Sequence, residues 1–142
     1  MTEQLVKTTS EDGLYTLLLA RPDKRNAISD RLLAALEAAL VATPEGTRAI
    51  ILAGEGKHFC AGLDLSEHQH RDAFGTMLHS QSWHRIFARI QNGGIPVIAA
   101  LQGAVIGGGL ELATAAHIRV AEPSTTGMPR RRARATARSR AE

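Results

Sequence analysis

The chain of 142 residues is poor in cysteine and in aromatic side chains: one Cys, one Trp, one Tyr and three Phe, with aromatics at 4%. A single cysteine, Cys60, excludes an internal disulfide framework and is the usage expected of a reducing compartment, so a cytoplasmic location is expected. No apolar run approaches the roughly eighteen residues of a membrane span. The opening MTEQLVKTTS has no apolar stretch of the signal-peptide kind, so neither a membrane nor export is expected. Basic residues are scarce outside one end. Residues 127–142 hold six arginines and one acid, which leaves 11 basic and 13 acidic residues before them under an overall net charge of +3. The body is mildly acidic, and the arginine stretch has no interleaved aromatics to stack on bases, so no nucleic-acid partner is expected. No internal repeat is visible.

What is present is an ordinary globular composition, 44% hydrophobic and 22% charged, long enough for one domain with a core. Leu14–Ala20 is a short apolar run behind the turn-like Glu11-Asp12-Gly13 and predicts a strand. Arg21 to Asn26 reads as a polar loop, after which Ser29 can cap a helix with Leu32, Leu33, Leu36 and Leu40 on one face. Arg48–Ala53 predicts a second strand, and Lys57 to Ser66 an irregular piece directly after it. A helix is predicted over Asp72–Gln91, with Phe74, Met77 and Leu78 starting an apolar surface that Trp83, Ile86, Phe87 and Ile90 extend. Asn92-Gly93-Gly94 ends it, a strand follows Pro96, and Ile118–Ala121 predicts one more. Strands alternating with helices predict an α/β layer fold with largely parallel neighbours. After residue 126 apolar periodicity stops. The expected division is a folded core over residues 1–126 and a disordered basic tail over 127–142.

The chain is organised around Ile95–His117, which passes from an apolar strand through Gly103 and the run Gly107-Gly108-Gly109 into an Ala/Leu-rich helix. Three adjacent glycines weaken any regular element, so something comes close to that backbone. A P-loop would need Lys-Ser/Thr where Leu110 and Glu111 stand, the G-x-G-x-x-G spacing is missing, and no G-x-S-x-G elbow occurs. Two readings remain: a glycine-lined helix contact, or backbone N–H groups that an acyl oxygen approaches. Ala61-Gly62-Leu63-Asp64 is a second glycine turn after a strand, where α/β sheets bind ligands.

These segments carry a resemblance. Phe-Cys-Ala-Gly-Leu-Asp-Leu (59–65), the run from Pro96 to Ala113, and Arg-Pro-Asp-Lys-Arg-Asn-Ala (21–27) resemble the enoyl-CoA hydratase/isomerase (crotonase) family over about Leu14–Met128, the N-terminal half of a member. The resemblance implies a spiral of ββα units, C-terminally incomplete. It implies an enoyl-CoA hydratase of fatty-acid β-oxidation, adding water to 2-enoyl-CoA thioesters. It assigns the two oxyanion donors to the backbone N–H groups of Leu63 and Gly108, and the first of two acids to Glu111. Ala61, Gly62, Asp64, Leu65, Ser66 and Gly107 would line the acyl-CoA site, with Lys24 and Arg25 near the nucleotide phosphates. No metal or redox cofactor is implied, since coenzyme A arrives with the substrate; trimers or hexamers are the family's assemblies. The second acid is expected in a Gly-x-Pro-Glu segment, yet Gly127-Met128-Pro129 runs into Arg130. A reading-frame change or truncation near Thr126 would explain this and impair hydration. The alternatives are an enoyl-CoA isomerase, or a non-catalytic acyl-CoA-binding fragment pairing with a separately encoded second half. His58, His68 and His70 read as solvated loop residues rather than metal ligands, His117 as structural, and Cys60 as a small buried residue.

Overall fold

A computed structural model describes residues 3–127 apart from residue 70. The fold is mixed α/β. Strand β1 (Val6–Glu11) pairs antiparallel with β2 (Leu14–Leu19) through the two-residue turn Asp12-Gly13. Both turn residues have positive φ, 51° and 78°, the twist that suits a tight hairpin. β3 (Ala49–Gly54), β4 (Val97–Leu101) and β5 (Ile118–Ala121) then add in parallel, and the five strands lie in the order in which they occur in the chain.

Among the described residues four α-helices lie along the connections: α1 (Asp30–Val41), α2 (Leu65–His68), α3 (Ala73–Asn92) and α4 (Gly108–Ala115). Ser29 caps α1 by accepting from the Leu32 N–H at 3.1 Å, one of the otherwise orphaned donors of a first turn. Register lines up Tyr15 with Ile50 and Ile50 with Val97, then Leu17 with Leu52 and Leu52 with Ala99. All of these are buried, together with Leu32, Leu33 and Leu36 of α1 and Ile86 and Ile90 of α3. Alternation along the strands thus places one sheet face against the apolar stripes of α1 and α3.

Three elements differ from the sequence reading. β1 was not foreseen, because five of its six residues are exposed and polar alternation gave no signal. α2 replaces part of the irregular piece after Cys60; Asp64 makes it possible by accepting from the Ser66 N–H at 3.1 Å. In α3 the apolar surface divides: Trp83, Ile86 and Ile90 are buried, whereas Phe74, Met77 and Leu78 are 63%, 46% and 45% exposed. Met128, Pro129, Arg130 and the rest of the arginine stretch lie outside the described residues, as does His70. Among the described residues no helix is long and apolar enough to cross a membrane.

Candidate functional site

Beyond the carboxyl ends of β3 and β4 the chain forms a second, smaller layer of single parallel bridges: Ile28 with Leu63, Cys60 with Val105, and Ala104 with Thr126. Its hydrogen bonds tie four separate stretches together. The Ala61 N–H donates to the Arg25 carbonyl at 3.0 Å, Cys60 N–H to Ala104 at 3.1 Å, Ile106 N–H to Cys60 at 3.2 Å, and Val105 N–H to Thr126 at 3.0 Å. The layer brings the two glycine turns together.

Gly62 has φ of +98°, and a Cβ placed on it would lie 2.9 Å from the Ile106 carbonyl oxygen and 3.6 Å from the Gly108 nitrogen. The position therefore requires glycine both for its backbone and for its neighbour. Ile28 brackets the next residue: its N–H donates to Gly62 at 2.8 Å and its carbonyl accepts from Asp64 at 2.9 Å. In a parallel bridge this pattern turns the peptide groups of Leu63 away from Ile28. Neither the Leu63 N–H nor the Gly108 N–H donates to an acceptor among the described residues. Gly108 opens α4 behind Gly107, so its N–H is one of the unpaired donors at the positive end of that helix. Gly109, next along, is forced to be glycine because any Cβ would collide with the Cys60 carbonyl.

Glu111 lies one turn into α4, on the same side as Gly108. It is exposed, and its carboxylate makes no hydrogen bond or ion pair among the described residues. At the far end of α4, Arg119 donates to the Ala116 carbonyl at 2.7 Å, a cation at the negative pole of the helix. The helix is thus anchored behind its open first turn.

The remaining sequence candidates fall into two groups. Lys24, at the end of a 3-10 turn (Pro22–Lys24), and Arg25 are exposed. So are Leu65 (73%), Ser66 and Gly107, while Ala61 is half-buried. Asp64 is committed to the protein itself: it accepts from Ser66 Oγ at 2.5 Å and from Arg21 Nη1 at 2.8 Å. Hydrogen bonds from Ser66 and the guanidinium of Arg21 hold its carboxyl below the ordinary range. His58 is corrected by the structure. It is half-buried, and its Nδ1 accepts from the Ala104 N–H at 3.0 Å, so it props the second layer rather than standing in solvent. His117 is structural, its Nδ1 accepting from the Val97 N–H at 3.0 Å. Cys60 is fully buried, its thiol pushed up to about 11 by that burial. Among the described residues no group of three His, Cys, Asp or Glu side chains could hold a metal ion.

Two residues that organise the site carried no role in the sequence reading. Arg21 clamps Asp64 and also donates to the Ala27 carbonyl at 3.1 Å. Asn26, fully buried with φ of 55°, accepts from Arg21 N–H and donates to the carbonyls of Glu55 and His58 at 3.0 and 2.8 Å. The signal for both was their place inside the 21–27 motif.

The comparisons with known proteins agree with one another. A family model for enoyl-CoA hydratase/isomerase matches residues 9–128. The chain is 38% identical over 122 residues to a protein of Bacillus subtilis (strain 168) named probable enoyl-CoA hydratase, covering 83% of this chain and 47% of that one. It superimposes with a TM-score of 0.80 and 55% identity on a Rhodopseudomonas palustris CGA009 structure provisionally described as an enoyl-CoA hydratase, covering 84% of this chain and 46% of that one. Against the enoyl-CoA hydratase of Thermoplasma volcanium GSS1 the TM-score is 0.83 at 35% identity, with 87% and 50% covered. The chain spans about half the length of the curated relatives it matches.

Proposed function

The chain belongs to the enoyl-CoA hydratase/isomerase family, and on that premise we propose that its two glycine turns form the anion-binding half of a 2-enoyl-CoA hydratase site. One observation carries the reading: the turns at Gly62 and Gly108 lie against each other, and the N–H groups of Leu63 and Gly108 have no acceptor among the described residues. A thioester oxygen held there gains negative charge as water adds to the β-carbon, so donors placed in advance favour the transition state over the ground state. Removing one such donor costs about 10²–10³ in rate. The water oxygen bonds to the β-carbon, its proton leaves to a carboxylate, and the α-carbon then takes up a proton. Glu111, one turn from the Gly108 donor, serves as one of the two groups this exchange needs. Ala61, Gly62, Gly107, Leu65 and Ser66 border the acyl-thioester, and Lys24 and Arg25 face the nucleotide phosphates. Asp64 acts indirectly, through the turn that it braces. Coenzyme A belongs to the substrate, and no other cofactor enters.

Arg130 stands where the second acid is expected, so hydration of a short 2-enoyl-CoA by the 142-residue chain is expected to be absent or feeble. Binding and α-proton exchange test the half-site directly. The chain should bind butyryl-CoA more tightly than free coenzyme A and should exchange the α-protons of butyryl-CoA with D2O. Glu111→Gln should retain binding while slowing exchange by about 10²-fold or more, the usual contribution of a positioned base. Equal affinity for butyryl-CoA and free coenzyme A overturns the reading.

A further inference from the structure

The one tryptophan of the chain lies behind the Gly108 donor. A Cβ on Gly108 would lie 3.2 Å from Trp83 Cζ2, 3.4 Å from Cη2 and 3.3 Å from Ile28 Cδ1. The indole edge and the Ile28 methyl therefore wall the α-carbon whose N–H faces the site. Ile28 also brackets Leu63 through its backbone N–H and carbonyl, so this one residue borders both donors. Trp83 is 8% exposed and packs against Phe87 in a tilted arrangement with ring centres 5.0 Å apart.

The polar end of the indole is held from the other side. Trp83 Nε1–H donates to His79 Nε2 at 2.9 Å. An indole N–H can only donate, so His79 carries its proton on Nδ1 and gives it to Asp30 Oδ1, 2.9 Å away. Arg71 Nη2 donates to the same Asp30 oxygen at 3.0 Å. Charged groups around this junction among the described residues include Glu67 of α2, which accepts from the Asp30 N–H at 3.0 Å, and the Arg85–Glu37 pair farther along the seam between α1 and α3. The His79 side chain is 9% exposed and lines the cleft between those helices with Asp30 and Ser82.

We infer that Trp83 is a positioning residue for the Gly108 oxyanion donor, with His79, oriented by Asp30, fixing the indole against it. The inference rests on the proposed function for the ligand that it serves, but the link itself can be measured without one. Gly108 should show a distinct 15N–1H amide signal in the unmodified chain. In His79→Gln, which can still accept from the indole and donate to Asp30, that signal and the affinity for butyryl-CoA should both stay near those of the unmodified chain. His79→Leu, which fills the space but cannot accept, should shift the Gly108 signal and weaken butyryl-CoA by about tenfold or more, as should Trp83→Phe, which loses both the N–H and the bicyclic edge that faces Gly108. Unchanged folding of these variants is read from their remaining amide signals. A Gly108 signal indifferent to His79→Leu and Trp83→Phe overturns the relay, whatever the ligand does. A Gly108 signal that responds in a chain unable to bind butyryl-CoA leaves the relay standing and overturns the proposed function instead.

Discussion

Asn26 combines a backbone that few side chains adopt with an amide whose three polar contacts are all internal. Asparagine tolerates the left-handed region better than most residues, and its amide here replaces backbone partners for the Glu55–His58 turn. Asn26→Ala keeps neither property. It should lose about 3 kcal/mol, since two buried carbonyls and one N–H would be left without partners, measured by urea unfolding. A loss below about 1 kcal/mol would mean that water replaces the amide. The residue itself was legible as part of a motif, and its burial was not: a polar Arg-Pro-Asp-Lys-Arg-Asn stretch reads as exposed loop. Trp83 was similarly legible as core, while the hydrogen bond at its far edge depends on Asp30, which lies on another helix.

Among the elements, α4 was the most readable. Glycines that suit neither strand nor helix announce a close approach, and Gly109 against the Cys60 carbonyl is one. Short or polar elements were not readable, because β1 buries only Val6 and α2 exists through its cap. That cap yields a prediction. The Asp64 carboxyl is held below its ordinary range by Ser66 and Arg21, so its contribution to stability is complete above the ordinary carboxylate range and is lost as the pH falls through the lowered value. Asp64→Asn should therefore cost about 1–3 kcal/mol at neutral pH, with Arg21 left unpaired. The difference from the unmodified chain should shrink in acid; a gap of the same size at both pH values would place the effect in packing rather than charge. The pairing of Leu63 with Gly108 was expected from the family resemblance alone and not from periodicity, for a related reason. It depends on three single bridges between distant segments, which leave no periodic trace.

At the scale of the molecule, the sequence pattern of alternating strands and helices was sufficient for a parallel α/β layer, and the structure adds its linear strand order. Among the described residues the sheet ends at β5, where all four residues are exposed, Ile118 at 53% and Val120 at 59%. An uncovered apolar edge strand invites association. Light scattering by the 142-residue chain should rise with concentration, and Val120→Lys should reduce it without moving the urea midpoint; unaltered scattering would locate the contact elsewhere. The linear order β1-β2-β3-β4-β5 also bears on how the chain comes together during synthesis. Each strand docks beside the one made just before it, so no strand waits for a partner still to be translated, and the longest excursion, from Gly54 to Val97, is shortened by α3. Loop-closure entropy is then met in small steps. A ribosome-bound chain can build this sheet outward from its hairpin, one crossover at a time.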